Sequence, residues 1–287
     1  MARRYTREEF RERLNKVIES GHPFVIGSAG TGISARFEEE GGADAIGIYN
    51  SGRFRMDGLN STCGQMFFSS ANEEILKLAK RVMPVIKDVP VIAGIAGNDP
   101  SIEKTTFFEI LKFYGFSAVM NFPTCGDFLG FMGDGPEALN EYGIGYQQEV
   151  EALSLAKSMG LFTLGYAFTE EEARMLGNAG IDVVICHMGL TVGGIGGPEQ
   201  NDNRHSLDES VKLIKQFTAA AREKYPDTVI MSHGGPISSP EDTKYVYERT
   251  ESVGFLGASS IERIPVEKPI MNCVRSFKEI DIRGGKK

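Results

Sequence analysis

The chain has 287 residues, with 31 Lys or Arg against 39 Asp or Glu, a formal net charge of −8. That balance argues against a sequence-independent nucleic-acid binder, which needs a basic face, and no run reaches the ~20 apolar residues of a membrane-spanning helix. Apolar residues are 41% and charged residues 24%, enough for a buried core, while 34 glycines stand well above the usual ~7%.

The four cysteines, Cys63, Cys125, Cys186 and Cys273, form no CxxC pair. Reduced thiols are expected, not a disulfide framework or a zinc ribbon. Arg3, Arg4 and Arg7 precede no apolar segment and are followed by Glu8, Glu9 and Glu12, so a transit peptide is not expected and a cytoplasmic protein is.

The first element reads as a helix over residues 1–20. Phe10, Leu14, Val17 and Ile18 share one stripe, and Thr6 with Glu9 has capping-box spacing. Eight short apolar runs follow, at 24–27, 45–49, 89–95, 118–122, 161–166, 183–186, 228–231 and 254–258. They do not alternate with polar residues, which is the pattern of strands buried on both faces of a parallel sheet. Helix starts lie between them: Asp99-Pro100, Thr169 with Glu172, Ser206 with Glu209, Ser239-Pro240, and Ser259 with Glu262. Eight strand–helix units and no linker predict one (β/α)8 TIM barrel over 23–277, capped by the N-terminal helix as a plug. An open doubly wound sheet is the structural alternative. The strand-to-helix loops after the second, fourth and sixth strands, 50–71, 122–136 and 188–205, are long, and in such a barrel they surround the site.

The strand ends carry the chemistry. Ser28 precedes a Gly-rich turn at Gly30 and Gly32 that fits neither a Walker loop nor GxGxxG, so no nucleotide cofactor is expected. The second strand runs into Asn50-Ser51-Gly52-Arg53-Phe54-Arg55, where Arg53, ahead of Arg55, is assigned to a substrate carboxylate. Asp99 after the third strand is a candidate base and ligand for Mg2+ or another divalent metal, besides a helix cap. Asn121 ends the fourth strand. His187 and His233, two of only four histidines, end the sixth and seventh and are the candidate proton carriers. Glycines over 189–197 read as a lid. Ser232–His233–Gly234–Gly235–Pro236 and Gly257–Ala258–Ser259–Ser260 end consecutive strands, so their loops are neighbours. An anion is expected there, held by backbone at a helix N-terminus, with Glu262 turned back onto the Ser259 N–H.

Several of these stretches together resemble the phosphoenolpyruvate hydrolase-like TIM-barrel family, over nearly the whole chain. They are Gly30-Thr31-Gly32-Ile33-Ser34, Tyr49-Asn50-Ser51-Gly52-Arg53-Phe54-Arg55-Met56, Gly145-Tyr146 with Glu149-Val150-Glu151, Thr191 with Gly193-Gly194, the His233 motif, and the run from Gly257 to Arg263. The resemblance implies kinship with the phosphoenolpyruvate mutase and isocitrate lyase-like barrels. Those relatives hold Mg2+ with strand-end carboxylates, where this chain has Asn50 and Asn121, leaving Asp99.

The expectation is an enzyme that hydrolyses or lyses a small anionic enolpyruvate or keto-acid substrate through an enolate-like state. Ser28, Asn50, Arg53, Asn121, Gly234, Gly235, Gly257, Ala258, Ser259 and Ser260 would bind it; His233, His187 and Asp99 would act on it. The residues leave two other readings open: a catalytically idle barrel that binds a small anion or a protein, and a class II-type metal aldolase using both histidines and Asp99. A homo-oligomer is expected from the barrel class.

Overall fold

The computed structural model describes residues 2–128, 135–196 and 205–282. Eight strands form a closed parallel barrel: β1 (Phe24–Ser28), β2 (Ala45–Ile48), β3 (Val91–Ile95), β4 (Ala118–Asn121), β5 (Phe162–Ala167), β6 (Val183–His187), β7 (Val229–His233) and β8 (Gly254–Gly257). Each pairs with its sequence neighbour, and β1 closes on β8 through Phe24 opposite Gly254 and Gly27 opposite Gly257. That closure rules out the open sheet. All eight apolar runs are strands, and all but the first residue of β7 and one of β1 are buried.

The helices are α1 (Arg7–Glu19), α2 (Gly32–Glu40), α3 (Asn50–Met56), α4 (Ala71–Val82), α5 (Lys104–Tyr114), α6 (Gly135–Glu141), α7 (Tyr146–Ser158), α8 (Glu170–Asn178), α9 (Leu207–Ala221), α10 (Pro240–Tyr247) and α11 (Ile264–Lys278). Thr6, Thr169 and Ser206 close capping boxes as their spacing predicts, and Ser239 caps α10 ahead of Pro240, with Asp242 completing a box there. Two caps differ from expectation. α5 begins at Lys104, and its cap is Glu103, whose carboxylate accepts from the Thr105 and Thr106 N–H groups. Asp99 instead turns back on Ser101, accepting from its N–H at 2.8 Å and its hydroxyl at 2.6 Å. After β8, residues 258–263 form turns before α11 starts at Ile264. Ser259 is therefore no helix cap.

α1 closes the N-terminal end of the barrel. Phe10 is 1% exposed and stacks on Phe162, the first residue of β5, with centroids 4.2 Å apart and planes 5° from parallel; Phe24, the first of β1, lies at 6.1 Å. Arg7 and Arg11 both pair with buried Asp182, just before β6, which also accepts from the Thr163 N–H and hydroxyl. Tyr5 adds bonds to Ser117 and Asp88 below β4 and β3. An aromatic stopper and a ring of polar anchors thus cover the apolar end.

Phe10→Ala should lower unfolding free energy by about 3–5 kcal/mol, the cost of an emptied aromatic site in a packed core. Urea unfolding measures it, with the elution volume of the folded protein unchanged.

Candidate active site

The C-terminal ends of the strands enclose a cavity of about 60 Å³. Tyr49, Ser51, Arg55, Phe122, Tyr166, His187, Thr191, His233, Ala258, Ser259 and Arg263 are among the residues lining it. This is the face on which barrels of this architecture carry chemistry.

The two histidines come from adjacent strands, register-paired as His187 opposite His233, with ring centroids 4.6 Å apart. Main-chain partners set complementary tautomers. His233 Nδ1 lies 2.6 Å from the Leu256 carbonyl, so that nitrogen carries the proton and Nε2 is left as an acceptor. His187 Nδ1 accepts from the Gly189 N–H at 3.1 Å, which leaves its proton on Nε2. Both rings are packed among aromatics: Tyr166 touches each, and Phe168 lies 4.3 Å from His187. Burial pushes His233 down to about 4 and drives His187 well below its ordinary value, with the neighbouring imidazole adding to the latter. At neutral pH the pair is uncharged, one ring a donor and the other an acceptor.

Arg55 is the cation behind them. Its side chain is 1% exposed, and its Nε and a terminal nitrogen donate to Glu262 Oε2 at 2.8 and 2.5 Å. The same nitrogen donates to the Ser28 carbonyl at 2.8 Å. Glu262 Oε1 takes the Gly30 N–H at 2.6 Å. Gly30 lies directly against the Gly52 backbone, where a Cβ would not fit, and this close approach brings α3 and its Arg55 to the barrel axis. Glu262 therefore supports Arg55 from below and does not turn back onto Ser259. Arg263, beside it, donates to the Gly193 carbonyl and pairs with Glu267, which in turn receives the Ile195 and Gly196 N–H groups. The first turn of α11 thereby anchors the glycine-rich loop after β6. Residues 197–204 of that loop, and 129–134 of the one after β4, lie outside the described residues, as does the end of the expected lid.

Several expected site residues stand elsewhere. Arg53 leaves the cavity: α3 is a helix, so positions 53 and 55 point apart, and Arg53 pairs with Asp57 and Glu74. Asp99 is not at the cavity; besides Ser101 it takes a bond from Asn72. Ser28 positions Arg55. Asn50 donates to the Gly64 carbonyl and holds the short 3₁₀ segment Ser61–Gln65. Asn121 accepts from the Tyr166 N–H at 2.7 Å and donates to buried Glu149, fixing the aromatic wall. The glycines of the expected anion site are spent on packing. Gly234 and Gly235 have positive φ, and the Gly235 N–H donates to the Gly189 carbonyl, seating the β6 loop. Gly257 gives room to Ile261, and Ser260 does not line the cavity. Only Ala258 and Ser259 of that set face it. The sequence reasoning missed Tyr49, Tyr166, Phe122 and Arg263; aromatic wall residues look like core in sequence, whereas the helical phase of residues 50–56 could have separated Arg55 from Arg53.

The described residues of the cavity do not fit a divalent metal. Among the described residues no Asp or Glu lines the cavity, and no group of three His, Cys, Asp or Glu could hold an ion. Mg2+ demands hard carboxylate oxygens, and two guanidiniums stand in their place. Asp99 lies apart from both histidines, so the aldolase ligand set is not assembled.

A family model described as phosphoenolpyruvate hydrolase-like matches residues 9–280. The ToMV resistance protein Tm-1(GCR237) of Solanum lycopersicum is 45% identical over 272 residues, which cover 94% of this chain and 35% of that protein. The chain thus spans about a third of the length of this curated relative. The phosphoenolpyruvate phosphomutase of Streptomyces platensis subsp. rosaceus superposes with a TM-score of 0.60 at 14% identity, covering 96% of this chain and 88% of that one. A phosphonopyruvate hydrolase solved with oxalate and Mg2+ gives 0.57 at 16%, with 96% and 88% covered. Identities this low establish a shared fold.

Removing one partner of the Arg55–Glu262 pair strands a buried charge. Glu262→Leu and Arg55→Met should each cost about 3–5 kcal/mol, and the double variant Arg55→Met/Glu262→Leu should recover much of the loss. Thermal and urea unfolding of the four proteins closes the cycle.

Proposed function

The chain belongs to the phosphoenolpyruvate hydrolase-like family, and on that premise we propose that it is a hydrolase or lyase for a small anionic enolpyruvate or keto-acid substrate. The observation that carries this reading is the pairing of two neutral imidazoles in opposite tautomers with two guanidiniums in one small cavity. A substrate carboxylate or phosphate sits toward Arg55 and Arg263, with the Ser51, Thr191 and Ser259 hydroxyls beside it. His233 Nε2 takes a proton from the substrate or from water, and His187 Nε2–H donates to the oxygen on which charge develops. The aromatic walls keep the dielectric low, which strengthens both interactions. Oxalate, bound by the phosphonopyruvate hydrolase of the same fold, is a small dianion of the class that this charge pattern would take.

A second reading, a barrel that binds an anion or a protein without turnover, is favoured by one observation: the cavity wall carries no carboxylate among the described residues, unlike a metal-dependent lyase.

Turnover of phosphoenolpyruvate, phosphonopyruvate, oxaloacetate and a set of 2-hydroxy and 3-keto acids separates the two. At least one should be consumed, with oxalate competing. His233→Asn should lower kcat by roughly 10²–10⁴-fold while oxalate affinity changes little. Folded protein that binds oxalate and consumes none of the panel establishes the second reading.

The pH profile supplies a further check. A base must be neutral to act, so kcat/KM should stay level from neutrality into mild acid and fall as pH drops through about 4, where His233 gains its proton. The same ring destabilises the fold in acid. Its unfolded pKa is near 6.5, so the unfolded chain binds the extra proton first, and stability should fall between about pH 6.5 and 4.

A further inference from the structure

Two carboxyl groups lie near Arg55, and one of them has no partner. Glu262 accepts from the guanidinium at 2.8 and 2.5 Å and from the Gly30 N–H at 2.6 Å. Glu38, on α2, accepts from nothing. Both of its oxygens are buried without a hydrogen bond, although its stem is partly exposed. The carboxyl group is seated against the outer side of β1. A Cβ added at Gly27 would run into Glu38 Oε2, so the strand has a glycine where this group needs room. The surrounding wall is apolar, with Ile33, Phe37, Met56, Ile261 and Val266 beside the two glutamates.

A carboxylate without a donor in such a wall costs far more than the neutral acid. The neighbouring charges sharpen that difference. Glu262, from the turns after β8, opposes ionisation of Glu38; Arg55, from α3, favours it but is already bound to Glu262. β1 presents the Gly27 backbone. On α2 itself Arg36 is paired with Glu40, and Glu39 accepts from the N–H groups of Lys87, Asp88 and Val89. Asp44, ahead of β2, and Glu267, on α11, have partners of their own in the Val25 N–H and Arg263. Burial, and then Glu262, push the Glu38 carboxyl up to about 8.

We infer that Glu38 is the proton-holding member of a cluster of two carboxyl groups and one guanidinium, and that its proton governs how strongly Arg55 attracts an anion in the cavity. The inference rests on the reading of that cavity as an anion site. With the proton in place, the positive charge of Arg55 is offset by Glu262 alone. When the O–H bond breaks and the proton leaves to water, the electron pair stays on Glu38 and a second negative charge stands beside the pair. The cavity becomes less positive, and an anion is held more weakly.

Calorimetric titration of the full chain with oxalate, a dianion from mild acid to alkali, tests this. The dissociation constant should rise roughly five-fold between about pH 6 and 9.5, with the midpoint near 8. In Glu38→Gln, which has the shape of the neutral acid and no proton to lose, it should stay at the value the wild type shows at the acid end. Glu38→Met, without polar atoms, should do the same. Urea unfolding gives a second readout. Between 4.5 and about 8 the unfolded chain has lost this proton and the folded one keeps it, so wild-type stability relative to Glu38→Gln should fall as pH rises through that window and level off above it. A relative stability indifferent to pH overturns the inference. So does oxalate affinity with the same pH dependence in all three proteins. Oxalate that fails to bind even at the acid end overturns the anion reading of the cavity, and this inference with it.

Discussion

The Arg55–Glu262 pair is the constraint on which the upper half of the molecule depends. Two charges taken fully out of water are stable only when each has several partners, and here they do. Arg55 has Glu262 and the Ser28 carbonyl; Glu262 has Arg55 and the Gly30 N–H. These contacts tie the ends of β1 and β8 to α3, the segment that follows β2. Three loops that would otherwise be independent are thereby fixed relative to one another, around a charge that faces the cavity.

That arrangement makes the cavity electrostatically one-sided. Its cations are guanidiniums, which stay charged at any pH a protein survives, and its titratable rings are held neutral by burial and by the proximity of positive charge. Recognition of an anion and movement of a proton are thus assigned to different groups. The tautomers that divide the labour between His187 and His233 are dictated by main-chain atoms, the Gly189 N–H and the Leu256 carbonyl, and so by the course of the backbone.

How far the sequence discloses this varies with the length scale. Strands buried on both faces announce themselves as unbroken apolar runs, and the four observed capping boxes are local, so the barrel is legible. Both histidines are legible too, because a strand end fixes where its last residue goes. Arg53 and Asp99 were misplaced because their positions depend on the phase of a short helix and on a turn that Ser101 closes, neither of which strand ends determine. Glu262 has the spacing of a capping residue from Ser259, yet its partner is Arg55, 207 residues away in sequence. A buried ion pair outweighs an exposed cap, and no local pattern announces it. Gly234 and Gly235 were read as a cradle for a ligand because close backbone approach leaves the same signature whether the approaching group is a phosphate or, as here, another loop.

Glu262 also belongs to two surfaces. One of its oxygens holds the cation of the cavity, and the same residue lines a groove between α2 and the start of α11, with Ile33, Phe37, Glu38, Met56 and Ile261. Whatever occupies the groove is separated from Arg55 by a single carboxylate. To the extent that occupying the groove displaces this carboxylate, the two sites are thermodynamically linked, and such linkage is symmetric. Any factor by which an occupant of the groove alters the affinity of the cavity for an anion is the factor by which the anion alters the affinity of the groove for its occupant. A reader of one site is, through this residue, a reader of the other.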